Sequence, residues 1–272
     1  MLRKIIHSVV VLGLLFSCSK EKENNHEGVN GLIDAKVYKA YKKASNPQNP
    51  WEHYGLIHND ILDELKAKKI KDFKKNPDLF GKSVKSDENL DYALNRLNEK
   101  YGREGVDLGG ESTKDEIKHI LNDSDNFYAN ILEEYTGNNV NVNIAVKDLF
   151  RLIEDFSKQD EVQYESIKDE IVKFESKILD NTYSLNSEDK DFVLKMTSVA
   201  RYSFYFWSNQ SQPSSKTGKR PWWKWVVVGA ADVAGGVTGN VAGALGASVS
   251  ASVLVDWVAP EKEEKETTEA PK

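Results

Sequence analysis

Histidine is the residue type in this chain that could most readily do acid–base or metal chemistry. Five histidines occur, and the three in the central part of the sequence are His53, His58 and His119. No pair has the HExxH spacing of zinc enzymes. His53, His58 and the nearby Glu64 are therefore the candidates for a catalytic or metal-binding role. The alternative is that Asn59 or Asp60 caps a helix and His58 fills a half-buried gap beside it.

Other sequence motifs with a defined chemistry are missing. No Gly-x-Ser-x-Gly nucleophile turn occurs. The glycines between Gly102 and Gly110 follow no predicted strand and precede no phosphate-binding lysine, so they indicate a loop. Residues 123–126 resemble a calcium loop, but Tyr128 stands where such a loop needs glycine. We therefore predict that the protein is not an enzyme and has no metal or cofactor.

The only cysteine, Cys18, ends an N-terminal pattern that is typical of exported proteins. Arg3 and Lys4 precede an apolar run from Ile5 to Phe16. This run of about a dozen residues is shorter than the ~20 residues that a membrane-spanning helix needs. With one cysteine the chain can form no internal disulfide, so that a hydrophobic core must stabilise it.

The stretch Leu15-Phe16-Ser17-Cys18 resembles the bacterial lipobox. This resemblance implies that residues 1–17 are a signal peptide, removed after Cys18 receives a diacylglycerol group, and that the new N-terminus is then acylated. Several acyl chains anchor a protein stably to a membrane. An ordinary secretory signal with a cysteine at its end is the alternative.

Residues 18–36 are predicted to form a polar tether. The charged stretch Ser19 to Asn25 resembles the acidic, lysine-containing sequence that follows the lipid-bearing cysteine in surface lipoproteins of Bacteroidota. The resemblance implies attachment to the outer membrane through Cys18, on the periplasmic or the cell-surface face. The net charge of −6 and the absence of a basic stripe disfavour nucleic acid as a partner.

A helical domain is predicted over residues 37–207, because apolar residues recur there at the spacing of an α-helix and strand-like alternation is confined to 140–144. Each apolar stripe can bury one face, which predicts an all-α helical bundle. The six stripes are Ile57–Leu65, Leu90–Tyr101, Ile117–Leu132, Val146–Phe156, Ile167–Ile178 and Phe192–Trp207. The breaks between them are Asn76-Pro77, Gly102–Gly110, Gly137–Asn139 and Asn181–Ser187, and Thr113 with Glu116 forms a capping box.

A polar linker, residues 208–221, separates this domain from an apolar segment rich in Gly and Ala, residues 222–259, and a charged tail, 260–272, is predicted to be disordered. We expect the apolar segment to form a helix or a helical hairpin. Small residues recur at every fourth position through Ala231, Gly235, Gly239, Gly243, Ala247 and Ala251. This stripe would let another helix approach closely, and it resembles the glycine zippers of pore-forming peptides and some envelope lipoproteins.

The ends of the apolar segment carry tryptophans, which prefer the headgroup level of a membrane: Trp222, Trp223, Trp225 and Trp257. A straight helix from the third to the last of these would be about 48 Å long, against a hydrocarbon core of roughly 30 Å. A tilt, a break or a hairpin is therefore required. Asp232 could lie at an interface, and Asn240 would seek a partner within a bundle.

Three functional hypotheses follow. The first is a non-enzymatic lipid-anchored envelope protein whose apolar segment associates with membrane or with copies of itself, a class that includes toxin-like and pore-forming proteins. The second is a periplasmic or surface binding module in which the Gly/Ala segment is a buried structural hairpin. The third is an enzyme that uses His53, His58 and Glu64.

The Cys18→Ser variant is expected to lose lipidation completely, because the thioether needs the Cys18 sulfur. Incorporation of labelled palmitate and fractionation with membranes will check this. The Ser17→Ala variant keeps a small residue before the cut and should be lipidated as the wild type is. Labelled palmitate on the Cys18→Ser protein would contradict the lipobox assignment.

Overall fold

The fold is all-helical in the part of the chain that the computed structural model describes. That part comprises residues 33–76, 86–102, 139–159, 162–210, 229, 232–233 and 241–251, and it lies within one compact unit, Ile33–Lys272. Its seven α-helices are α1 (Ala35–Tyr41), α2 (Glu52–Lys75), α3 (Ser86–Tyr101), α4 (Val140–Ser157), α5 (Tyr164–Leu179), α6 (Ser187–Gln210) and α7 (Val241–Ala251). A 3₁₀ turn, Lys42–Ala44, follows α1. The prediction of an all-α bundle is confirmed.

Short polar side chains set several of the helix ends. Asn139 caps α4, since its Oδ1 accepts hydrogen bonds of 3.2 Å from the backbone amides of Asn141 and Val142. Asn186 precedes α6 in the same way and accepts from the amide of Asp189. Beyond the end of α5, Asn181 has a φ of 60°, in the left-handed region that asparagine tolerates.

Five of the six apolar stripes coincide with helices α2 to α6. The stripe Ile117–Leu132, the capping box before it and residues 123–126 lie outside the described residues. The alternation at 140–144 belongs to the first turns of α4, and α6 continues to Gln210, into the predicted linker. The short helix α1 was not predicted, because seven residues are too few to display a period of 3.6.

Helices α2 and α6 form the central pair, and Gly55 is the point of their closest approach. Its backbone amide donates to Ser198 Oγ at 3.1 Å. A Cβ at this position would lie 2.3 Å from the ring of Tyr202 and 2.7 Å from the carbonyl oxygen of Ser198. The absence of a side chain at Gly55 therefore permits this packing distance.

The remaining helices are arranged around this pair. Helix α5 packs against α6, and α4 packs against both α5 and α6, whereas α3 packs against α2. Helix α7 packs against both α2 and α3. Its described side chains, Val241 to Val249, are all buried. A helix that is apolar on every face has to be surrounded, and α7 occupies such a position.

The Gly55→Ala variant is expected to be less stable than the wild type by about 1–3 kcal/mol, because the added methyl group would clash with Ser198 and Tyr202. At an uncrowded helix position the same change would stabilise the helix by about 1 kcal/mol. Whether the variant is less or more stable than the wild type therefore tests the packing. Urea unfolding will measure it. Ala67→Gly on the exposed face of α2 is the control and should lose only the helix propensity. A Gly55→Ala protein more stable than the wild type would contradict the packing.

Candidate functional site

Buried side-chain hydrogen bonds hold the apolar segment to the helical domain. Asp232 Oδ2 accepts from Ser203 Oγ and, at 2.9 Å, from Trp207 Nε1, both on α6. On α7, Ser248 Oγ lies 3.0 Å from His58 Nε2 of α2. We call these five residues the seat cluster. All of them are at most 2% exposed, so their polar atoms depend on one another rather than on water.

The hydrogen bonds around His58 define its tautomer. Asn59 Nδ2 donates to the carbonyl oxygen of Tyr202 at 2.7 Å, which leaves Asn59 Oδ1 to face His58 Nδ1 at 3.0 Å. His58 Nδ1 must therefore carry a proton. In the neutral ring Nε2 is then an acceptor, and the Ser248 hydroxyl donates to it. A neutral imidazole satisfies both of its nitrogens in this site.

Burial shifts the pKa values of the two ionisable groups of the seat cluster in opposite directions. It lowers the pKa of His58 to about 4, although hydrogen bonds with Asn59 and with the Ala244 backbone favour the charged ring. Burial raises the pKa of Asp232 to about 7, against the effect of the hydrogen bonds donated by Ser203 and Trp207. Asp232 Oδ1 has no hydrogen-bond partner among the described residues. Both shifts favour uncharged groups.

The contact between Ser248 and His58 has the spacing of a serine nucleophile and its base. Neither side chain is exposed to solvent, and Asp232 lies 3.8 Å from Nε2 rather than beside Nδ1. A substrate could not reach Ser248 Oγ in this conformation, and the arrangement serves packing. That the protein is not an enzyme stays a prediction.

The structure does not bring together the three residues that the sequence proposed for catalysis. His53 packs against the rings of Trp51 and Tyr54. Glu64 accepts from Arg96 Nε at 2.7 Å and from Lys100 Nζ at 3.1 Å. His58 belongs to the seat cluster instead. Among the described residues, no group of three or more His, Cys, Asp or Glu side chains could hold a metal ion.

The expectation that Asn59 or Asp60 caps a helix beside a half-buried His58 is wrong. Helix α2 begins at Glu52, so both residues lie in its interior. Asn59 bonds to His58 and Tyr202, whereas Asp60 accepts from Lys100 and Tyr101 of α3. His58 is fully buried. The stretch before His58 is helical because its residues pack on α6, which a local pattern does not reveal.

Part of the predicted small-residue stripe falls on α7. Gly243 and Ala247 are buried there, and Ala251 is the last residue of the helix. The other predicted members of this site, Ala231, Gly235, Gly239, Trp222, Trp223, Trp225 and Trp257, lie outside the described residues. None of the described helices is both long and apolar enough to cross a membrane.

Sequence reasoning missed Ser203 and Ser248, although Ser248 is one of few polar residues in an apolar run.

A second buried cluster centres on Arg201 of α6, which is fully buried. Its guanidinium donates to Glu175 of α5 at 3.0 Å, and also to Glu52 of α2 and to the carbonyl oxygen of Ala44. We call these residues, with the side chains that bond to the two carboxylates, the arginine cluster. Those side chains are Asn46, Asn49, Thr197 and Tyr202.

The arginine cluster joins α2, α5, α6 and the loop before α2. Burial raises the pKa of Glu52, against the effect of the Arg201 charge. The carboxylate of Glu175 accepts from two asparagines, a threonine and Arg201. The Arg201 guanidinium donates to groups from three different elements of the chain, and these buried bonds support a structural role in fixing the register of the helices.

An open groove of about 830 Å³ runs between α4 and α5. Leu152, Phe156 and Phe174 supply its apolar floor, and its rim carries acidic and basic residues. Tyr183 also lines the groove and donates to Asp148 at 3.1 Å. This groove is accessible to a partner, unlike the two buried clusters.

Comparisons of the chain with protein-family models, curated proteins and solved structures found no match.

The Arg201→Met variant is expected to lose about 3–5 kcal/mol of stability, because it leaves two buried carboxylates without their cation. Denaturant unfolding at neutral pH will measure the loss. Lys173→Met is the matched control, since it breaks the exposed ion pair of Lys173 with Glu170, which solvent screens, and should change stability little. Equal losses in the two variants would contradict a structural role for the arginine cluster.

Proposed function

We propose that the protein is a non-enzymatic helical binding module of the bacterial outer membrane, lipid-anchored at Cys18, in which the apolar segment completes the core. The observation that carries this proposal is the position of α7, which packs against α2 and α3 and whose described side chains, Val241 to Val249, are buried. The small residues Gly243 and Ala247 are already used in this packing. In this form they are not available to a membrane or to another copy of the chain.

Two further observations support an enclosed segment. Asp232 and Ser248 each bond to side chains of the helical domain, and an apolar helix held merely for later release would not require such specific anchors. Gly229 also lies against α6, where a Cβ would come 2.4 Å from the ring of Phe204. The open groove between α4 and α5 then supplies the surface on which a partner would bind.

A second candidate function is favoured by the composition of α7. The helix contains no charged side chain, and a helix that is apolar on every face suits a bilayer as well as a protein core. The helical domain would then mask the segment until it is released towards membrane or towards another copy. This function requires the seat cluster to open.

A variant that loosens the packing of the apolar segment on α6 distinguishes these two functions. The full mature chain with Cys18→Ser will be tested for binding to vesicles of anionic and zwitterionic phospholipid and for release of a trapped dye. Gly229→Ala is expected to lower stability without increasing binding or leakage, because the segment is a structural part of the core.

Ile171→Val on α5 is the matched control, since it removes a fully buried methyl group from a helix that packs against α4 and α6. Vesicle binding and leakage that rise in Gly229→Ala but not in Ile171→Val would overturn the proposal in favour of the membrane-active function. Deletion of residues 222–259 should unfold the protein if the segment completes the core, and a stable truncated domain would also contradict it.

A further inference from the structure

The seat cluster places an acid and a base against each other in a site that water does not reach. His58 Nε2 on α2 and Asp232 Oδ2 in the apolar segment are 3.8 Å apart, and neither side chain has any solvent exposure. Ser248 of α7 bonds to His58, so that the contact joins two parts of the segment to the domain. A single unpaired charge in such a site would be strongly unfavourable.

Other charged groups near the seat cluster compensate one another. On α2, Asp60 and Glu64 pair with Lys100 and Arg96 of α3. On α6, Arg201 and Tyr202 bond to Glu52. Helix α7 has no titratable side chain. Among the described residues, His58 and Asp232 are therefore the groups whose protonation governs the charge of the seat.

We propose that His58 and Asp232 form a neutral proton pair that keeps the apolar segment docked with equal strength from mildly acidic to neutral pH. In the docked state Asp232 keeps its proton and His58 is uncharged. When the segment leaves, Asp232 releases one proton and His58 takes one up, so that no net proton is exchanged with the solvent. This inference rests on the enclosed position of the segment.

The geometry supports a neutral pair. Both nitrogens of a neutral His58 ring are satisfied, by Asn59 and Ser248. Asp232 Oδ2 receives two hydrogen bonds from α6, whereas Oδ1 has no partner among the described residues and would leave a carboxylate charge unsolvated. Protonation of Asp232 removes that charge.

Each group alone would make docking depend on pH, and the two dependences have opposite signs. Burial raises the pKa of Asp232 from 3.8 to about 7, so its contribution to docking is lost as pH rises across that interval. Burial lowers the pKa of His58 from 6.5 to about 4, so its contribution is lost as pH falls across nearly the same interval. Together the two slopes cancel.

A reporter thiol measures docking directly. Cys18 is the only cysteine, so the mature chain with Cys18→Ser can carry Val249→Cys, a slightly smaller side chain at a position 1% exposed on α7. Its rate of labelling by a pyridyl disulfide, divided by that of Ala67→Cys on the exposed face of α2, gives the open fraction between pH 4.5 and 7. The ratio removes the pH dependence of the thiol itself.

Four backgrounds are compared: wild type, Asp232→Asn, His58→Gln and the double variant. With the wild-type pair the open fraction should change less than about threefold over this range. Asp232→Asn should open more as pH falls and His58→Gln more as pH rises, each by up to about tenfold per pH unit. The double variant should again be independent of pH. Parallel slopes in the two single variants would overturn the neutral pair.

The thiol experiment also separates this inference from the proposed function. A Val249→Cys thiol that reacts as fast as Ala67→Cys at every pH would refute the enclosed segment itself. A protected thiol with a steep pH dependence in the wild-type background would refute the proton pair alone. Nitrogen NMR of the wild-type protein, which needs no substitution in the seat, should show His58 neutral with its proton on Nδ1 at pH 6. A charged ring at that pH would overturn the proposal.

Discussion

The burial of the Arg201 guanidinium is the constraint on which the arrangement of the helical domain depends. A charge without solvent contact is tolerated only where opposite charges and hydrogen-bond acceptors surround it. Glu52 comes from α2, Glu175 from α5 and a backbone carbonyl from the 3₁₀ turn after α1. Because each group must reach the same side chain, the rotation and register of α2 and α5 relative to α6 are set together.

Ionisable side chains are buried at two places along the contact between α2 and α6, and their charge is accommodated differently at each. Near Glu52, the arginine cluster balances buried charges with one another. Near His58, the seat cluster avoids charge, because burial favours the neutral form of both its acid and its base. Gly55 lies between these clusters and brings the two helices close enough for both to form.

The described residues of the apolar segment depend on this scaffold. Helix α7 carries no charge and has little side-chain bulk, so that isolated in water it would be a poor helix. Its burial against α2 and α3 supplies the packing that its glycines cannot. Small apolar side chains alone would permit several packing registers. The hydrogen bonds of Ser248 and Asp232 favour one of them. In the proposed function, a lipid on Cys18 attaches the chain to the membrane, and the enclosed segment takes no part in that attachment.

The sequence by itself determined the helical class and most helix positions, because the repeat of apolar residues every three to four positions is a local property that Ile57, Ile61 and Leu65 already display. It also determined ends such as that at Asn139, whose cap involves residues two and three positions away. Only the tertiary structure decided what the polar residues do. Ser248 meets His58 across 190 positions and Arg201 meets Glu52 across 149, and no periodicity records contacts at such separations. For the same reason a histidine that looked like a candidate for catalysis is a buried anchor of the apolar segment.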